Sequence, residues 1–255
     1  MEAQDQRRLY ADLSWTWPII SPPEEYAGEA EEFHAPIAQR APDARTLLHL
    51  GCGGGHLDSH LKRHYAITSI DRSPAMLALA RGLNPEAEYV EGDLRTARLG
   101  RTFDAVMAAD AMDYMLTEDD LRAAFRTAFE HLRPGGVFVT YAEFTPERFR
   151  QDRTKVTTHA RGDVAITFVE HAHDRDPHDT TFEITFVYLI RRGGDLRIET
   201  DRHLQGLIPL DAWRRLLRET GFLATEIAGN PPGPGEPPTP MFAAVRPPAG
   251  AERNL

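Results

Sequence analysis

The stretch at residues 46–57, T-L-L-H-L-G-C-G-G-G-H-L, constrains the fold of this chain more than any other. A short apolar run stops at Gly51, Gly53, Gly54 and Gly55, and a helical pattern begins beyond them. That order predicts a buried strand, a tight turn and a helix N-terminus. Glycines belong in such a turn when a polar ligand must come close to bare backbone, because a Cβ would hold it off. The helix start adds N–H groups that no carbonyl of the helix has claimed.

The rhythm set there repeats. A second strand at 66–71 ends at Asp71, and Ser73-Pro74 supplies a cap and an N1 proline for a helix at 76–81. A third strand at 88–93 ends at Asp93, and a fourth at 103–109 opens into the polar turn D-A-M-D-Y. Thr117 caps the next helix with Asp120 three residues on, and Leu121, Ala124, Phe125, Ala128, Phe129 and Leu132 share its apolar face. Arg133-Pro134-Gly135-Gly136 stops that helix ahead of a fifth strand at 137–141. Alternation of this kind predicts an α/β fold, a parallel sheet covered by helices on both faces.

Beyond residue 145 the pattern changes. Three β-rich runs at 164–170, 181–190 and 195–202 follow one another with only turn residues between, as in an antiparallel meander. A helix at 210–218, ending at Thr220-Gly221, and strands at 223–228 and 241–245 complete the pattern, and the tail at 247–255 is expected to fray. The chain divides into an N-terminal helical and aromatic cap (1–40), a core (41–145 and 206–247) and an antiparallel β insertion (146–205) expected to cover the substrate site. In the cap, Tyr10, Trp15, Trp17 and Tyr26 are expected to anchor it on the core, with closure over a ligand as the sharper alternative.

Composition excludes several classes. With 29 basic and 39 acidic residues the net charge is −10, so the surface repels phosphate backbones and nucleic acid is not an expected partner. The single cysteine, Cys52, excludes an intramolecular disulfide and any multi-cysteine metal site. No apolar stretch reaches the length of a membrane span. The opening residues M-E-A-Q-D-Q-R-R lead into no apolar segment of a secretory leader. These features predict a cytoplasmic protein with a small-molecule partner and leave room for a homodimer.

In a parallel sheet, ligands sit beyond the carboxyl ends of the strands, where strand order reverses. The glycine turn, Asp71 and Asp93 share that edge. An acid about 20 residues after such a turn can accept hydrogen bonds from ribose hydroxyls. A dinucleotide loop would continue to a third glycine in the phase G-x-G-x-x-G, but His56 occupies that position.

The set G-C-G-G-G, an acid ending the second strand, G-D ending the third and L-R-P-G-G before the fifth resembles the class I S-adenosylmethionine-dependent methyltransferases. The likeness covers residues 46–141 directly, and the two late strands match the reversed hairpin that closes the family's seven-stranded, mostly parallel Rossmann-like sheet. By this resemblance, Gly51, Cys52 and Gly53 pass the methionine part of the cofactor, and Asp71 holds the ribose. Asp93 and Leu94 hold the adenine, Arg72 and Met76 border its ring, and Ala109 lies below the sulfonium. The family usually has an acid two residues before the first glycine, where this chain has His49. The β insertion is similar in placement to the substrate-covering sheet of the amino-sugar N-methyltransferases.

Methyl transfer asks for in-line alignment at about 3–3.5 Å, and for a base only when the acceptor carries a proton. Candidates beyond the fourth and fifth strands are Asp110, Asp113, Tyr114, Tyr141 and Glu143, of which Asp113, Tyr114 and Glu143 are selected. From the insertion, His203 is selected over His159, His171 and His173. His171-x-His173 has no acidic or cysteine partner in view, so no metal is expected. Asn230-Pro231-Pro232-Gly233 looks like the motif of nucleic-acid amino-methyltransferases, but it follows the wrong strand and ends in glycine rather than an aromatic. It reads as a rigid loop. The expected activity is methyl transfer from S-adenosylmethionine to nitrogen or oxygen of a small molecule. A methyltransferase-like binding protein without catalysis, which His49 keeps in play, and a nucleotide-dependent oxidoreductase are the other readings.

Overall fold

The computed structural model describes residues 6–231 and 237–248. The tip of the proline-rich loop and the end of the tail, to which the rigid-loop and fraying expectations belong, lie outside the described residues.

Strands β1 (Thr46–Leu50), β2 (Ala66–Asp71), β3 (Glu88–Glu91), β4 (Phe103–Ala108) and β5 (Leu132–Tyr141) run parallel. With the late hairpin β10 (Leu223–Ala228) and β11 (Pro240–Val245) they form a seven-stranded sheet in the order β10-β11-β5-β4-β1-β2-β3. Strand β11 pairs antiparallel with β5. Strand order reverses between β1 and β4, so the ligand edge expected from the sequence is the carboxyl end of those strands.

Period-2 alternation decides which side chain faces which layer. In β1, Leu48 and Leu50 join the core beneath α5 (Glu118–Glu130) and α6 (Leu210–Thr220), where Trp213 packs on Phe125 and Phe242. Leu47 faces the opposite layer with α2 (Ala27–Arg40) and α3 (His56–Leu61). Each of these leucines is fully buried and contributes roughly 1.5–3 kcal/mol. The caps follow the sequence: Ser73 Oγ accepts the Met76 N–H at the start of α4 (Pro74–Leu83), and Thr117 Oγ1 accepts that of Asp120. Gly221, at φ +107°, ends α6.

Strand β3 stops at Glu91, two residues short of Asp93, and the fifth strand and the insertion also differ from the pattern reading. Leu132 belongs to β5 rather than to the face of α5; it pairs with Phe103, and the Gly135 N–H donates to the Arg246 carbonyl. The insertion contains four strands, not three: β6 (Arg153–Arg161), β7 (Val164–His173), β8 (Thr181–Arg192) and β9 (Asp195–Gly206) form an antiparallel sheet in that order. The inner face of this sheet, with Ile166, Phe168, Phe186 and Tyr188, packs against Leu9, Leu13, Ile19 and Ile20 of the N-terminal segment. That segment includes the one-turn helix α1 (Trp17–Ile20). No helix among the described residues is long and apolar enough to cross a membrane.

Gly51 sits at φ +78°, and a Cβ built on it would lie 2.1 Å from the Ala111 Cβ. Gly51→Ala is therefore expected to cost about 2–4 kcal/mol, from positive-φ strain plus overpacking. Thermal melts should show the loss, and Ala111→Gly should recover only the packing part.

Candidate functional site

A cleft of about 390 Å³ opens at the carboxyl edge of β1, β2, β3 and β4. Its walls include every residue that the sequence assigned to the cofactor: Gly51, Cys52, Gly53, Asp71, Arg72, Met76, Asp93, Leu94 and Ala109. Their convergence follows from the topology, since each lies at or just past the end of one of these strands, in the turn that follows or, for Met76, in the first turn of the next helix.

Asp71 ends β2 and bridges two segments of the rim. Its carboxylate accepts the Gly53 N–H and the Ser73 N–H, both at 2.8 Å. Burial raises its pKa above the usual range, and these backbone donors oppose that rise. Gly53 is at φ +52°, and a Cβ there would meet nothing within 4 Å, so the turn exposes bare backbone. Asp93 is held by Arg95, which donates Nη2 to one oxygen at 2.6 Å and Nε to the other at 3.0 Å. These hydrogen bonds keep the Asp93 carboxyl below its ordinary range.

The N-terminal segment reaches into the same cleft. Tyr10, Trp17 and Tyr26 line it, whereas Trp15 packs in the cluster beneath the four-stranded sheet. All four pack against the hydrophobic clusters, as anchors do, and three of them also stand where closure over a ligand would need them. Trp17 stacks on His56 with ring centroids 5.8 Å apart, and Tyr26 meets the same ring edge-on at 5.2 Å. Burial lowers the His56 pKa to about 4, which keeps that ring neutral.

Of the selected catalytic residues, Tyr114 borders the cleft. His203 is fully buried behind it, its Nδ1 2.6 Å from the Tyr114 hydroxyl. His203 Nε2 lies 2.8 Å from Asp201 Oδ2, which also accepts the Leu9 N–H at 2.7 Å. On the other side, the Tyr10 and Tyr114 hydroxyls are 2.8 Å apart. The result is a continuous hydrogen-bonded run Tyr10–Tyr114–His203–Asp201. Burial works to raise the Asp201 carboxyl, but the donors from His203 and the backbone hold it below the usual range. An ionised Asp201 places the imidazole proton on Nε2, leaving Nδ1 free to accept from Tyr114. Sequence reasoning missed Asp201, and it named Tyr10 without its link to Tyr114. The i, i+2 spacing of Asp201 and His203 on one strand was the available clue, because it puts both on one face.

Asp113 and Glu143 belong to a second group. Their carboxylates and that of Asp110 lie within 4.8 Å of one another, and only Asp110 borders the cleft. The Tyr141 hydroxyl donates to Asp110, and to Glu29 at 3.3 Å. Burial, then repulsion by Asp110, pushes Glu29 and Glu143 up to about 8; burial and Glu143 also raise Asp113. The folded chain therefore retains protons that the unfolded chain loses near pH 4–5, so these groups make stability fall as pH climbs toward about 8. Glu143→Gln should leave the melting temperature nearly unchanged at about pH 5 and raise it at about pH 9. Calorimetric melts across that range check it; equal curves at both ends would mean that Glu143 is ionised throughout.

His171 and His173 sit on the outer face of the four-stranded sheet, with Asp152 Oδ1 2.7 Å from His173 Nδ1 and 3.8 Å from His171 Nε2. The expectation that this pair lacks an acidic neighbour is corrected. Asp152 arrives from the start of β6, the strand that the sequence pattern did not reveal.

A family model described as a methyltransferase domain matches residues 47–136. The chain is 31% identical over 213 residues to the dTDP-3-amino-3,4,6-trideoxy-α-D-glucopyranose N,N-dimethyltransferase of Streptomyces venezuelae, covering 83% of this chain and 89% of that protein. It is 29% identical to the dTDP-4-amino-2,3,4,6-tetradeoxy-D-glucose N,N-dimethyltransferase of Saccharopolyspora spinosa, covering 87% of each. Among solved structures it superposes on S. venezuelae DesVI with a TM-score of 0.81 at 26% identity, over 98% of this chain and 100% of that one. It also superposes on CalS10 of Micromonospora echinaspora, an amino pentose methyltransferase bound to S-adenosylmethionine, with a TM-score of 0.77 at 26% identity, over 87% of this chain and 91% of that one.

The cleft fits that cofactor. It offers open backbone at Gly53 and a buried His49 Nε2 with no partner among the described residues, which suit an amino-acid end, and carboxylates at Asp71 and Asp93, which suit a nucleoside end. The chain belongs to the class I S-adenosylmethionine-dependent methyltransferases, as an enzyme that methylates a small-molecule acceptor.

Proposed function

We propose that the acceptor is the amino group of an aminodeoxy sugar, methylated on nitrogen, with Tyr114 taking the proton that nitrogen must lose. The observation that carries this reading is the buried run Tyr114–His203–Asp201 at the cleft wall. Such a run has work to do when the acceptor carries a proton, as an ammonium or a hydroxyl does, and the amino-sugar relatives favour the ammonium. The Asp110 carboxylate at the cleft attracts a cation, and the sugar N,N-dimethyltransferases named above act on amino sugars.

S-adenosylmethionine, when bound, supplies a methyl group already electrophilic on a sulfonium. In this reading Asp71 holds the ribose hydroxyls, and Asp93 with Leu94 holds the adenine. Arg72 and Met76 border the adenine ring, Gly51, Cys52 and Gly53 pass the methionine part, and Ala109 leaves room at the reacting end. Asp110 draws the ammonium in. Tyr114 accepts its proton while passing its own to His203 Nδ1, and Asp201 balances the imidazolium that results. Burial holds the Tyr114 phenol above its ordinary range, so relay rather than a standing phenolate is the economical route. Residues 1–40 and 146–205 roof the acceptor and exclude water.

The test is incubation of the protein and S-adenosylmethionine with nucleotide-linked aminodeoxy sugars, with the matching hydroxy sugars as controls, followed by mass spectrometry. Methyl addition to the amino compounds alone is expected. Addition to the hydroxy compounds alone would overturn the reading.

Two coarser features complete it. The acidic chain with its single buried cysteine suits the cytoplasm and a partner other than nucleic acid. The aliphatic outer face of the four-stranded sheet, where Val156 and Ile198 are 58% and 59% exposed, supports a homodimer through that face. Sedimentation should then give a dimer that Ile198→Glu converts to monomer.

A further inference from the structure

His49 is the residue at which this chain departs from its family, and its surroundings assign it a task. It shares the β1 face of Leu47 and is only 2% exposed. Its Nδ1 lies 2.7 Å from Oδ1 of Asp58, a fully buried residue of α3. The other Asp58 oxygen accepts from the Ser69 hydroxyl at 2.8 Å and from the Tyr89 hydroxyl at 3.0 Å. Tyr89 in turn accepts from Asn84, which also donates to the Gly55 carbonyl at 2.8 Å. A carboxylate that already takes the Ser69 and Tyr89 hydroxyl protons is an acceptor, so the imidazole proton on that side sits on Nδ1. Nε2 is left with a lone pair. It is buried, no group among the described residues donates to it, and the ring borders the cleft beside Gly51, Cys52 and Ala109.

A buried acceptor without a donor is costly, and the cost disappears if a ligand supplies one. At the glycine-turn end the cofactor offers a single strong donor, its α-ammonium. We propose that His49 Nε2 accepts a hydrogen bond from the α-ammonium of S-adenosylmethionine, with Asp58 supplying through the ring the negative charge that balances it. This rests on the reading that the glycine turn takes the methionine part. The lone pair repels the neighbouring α-carboxylate, so the pair also selects the orientation of the amino-acid end. A histidine and an acid on the adjoining helix thereby do together what a single carboxylate on the strand would do alone.

The experiment is calorimetric titration with S-adenosylhomocysteine, with its analogue lacking the α-amino group, and with 5′-methylthioadenosine, which lacks the amino-acid part. The proteins are wild type, His49→Leu and Asp58→Asn, each shown folded by its melting curve. The wild type should prefer the amino ligand over the deaminated one about 10- to 100-fold, as expected of one hydrogen bond involving a charged group. His49→Leu should cut that preference to about threefold or less while leaving 5′-methylthioadenosine affinity unchanged. Asp58→Asn retains the shape but turns a donor toward Nδ1, moving the ring proton to Nε2, and should erase the preference as well. A preference undiminished in both variants overturns the proposal. A wild type that binds none of the three ligands overturns it together with the cofactor placement beneath it.

Should His49→Leu fail to fold, ¹⁵N NMR of the wild type decides. The His49 Nε2 resonance should be of the unprotonated type in the free protein, and should shift with S-adenosylhomocysteine but not with 5′-methylthioadenosine. A protonated Nε2 in the free protein, or the same response to both ligands, overturns the proposal.

Discussion

Asp71→Ala is expected to weaken S-adenosylmethionine binding about 100-fold or more, the largest loss that any single substitution in the cleft should produce. Hydrogen bonds to a charged group count about 1.5–3 kcal/mol each, and in the proposed placement the ribose presents two hydroxyls to this carboxylate. The substitution also releases the Gly53 and Ser73 N–H groups that Asp71 accepts, loosening the turn itself. Asp71→Asn separates the two contributions. It keeps the shape and one acceptor, so binding should fall only about tenfold. Calorimetric titration of both variants checks this, with melting curves to report the structural part. An unchanged affinity in Asp71→Ala would show that the ribose lies elsewhere.

Tyr114→Phe is expected to lower kcat about 100- to 1,000-fold while leaving cofactor affinity within about twofold, since it removes a proton acceptor and little packing. Its pH profile is the sharper readout. With the relay broken, only acceptor that has already lost its proton in solution can react, so kcat/KM should rise about tenfold per pH unit up to the pKa of the free amine. Asp201→Asn should give a comparable loss, because an amide donor turned toward Nε2 moves the ring proton to Nδ1, which can then no longer accept from Tyr114. Steady-state kinetics across pH measures all three. A Tyr114→Phe variant with normal kcat and an unaltered profile would mean that the proton leaves by another route.

Much of the core was legible because local rules and the fold agree there. The run into Gly51, the caps at Ser73 and Thr117, and the acids ending β2 and following β3 are short-range features that each imply their neighbours. The late hairpin was legible from its two apolar runs around a proline-rich loop. Strand β6 was not. Its side chains are largely exposed on both faces, with Arg153, Lys155 and Thr158 in solvent, so no apolar alternation betrays it. Its existence depends on pairing with β7, which sequence periodicity does not report. Leu132 was misread for a related reason: it continues the spacing of α5, yet pairing with Phe103 draws it into β5.

The chemistry divides along the same line. Residues 46–93 alone determine the phase of the glycine turn and its distance along the chain to Asp71 and Asp93, because strand length and turn geometry leave little freedom between them. Which side chains complete the site is decided by elements far apart in sequence. Tyr10 meets Tyr114 across 104 residues, His203 reaches Tyr114 across 89, and His49 finds Asp58 only once α3 folds back over β1. A periodic pattern records which face of an element is buried, but not what buries it. Partners such as Asp58, Asp201 and Tyr10 follow from the crossing of whole elements, so only the tertiary structure could name them.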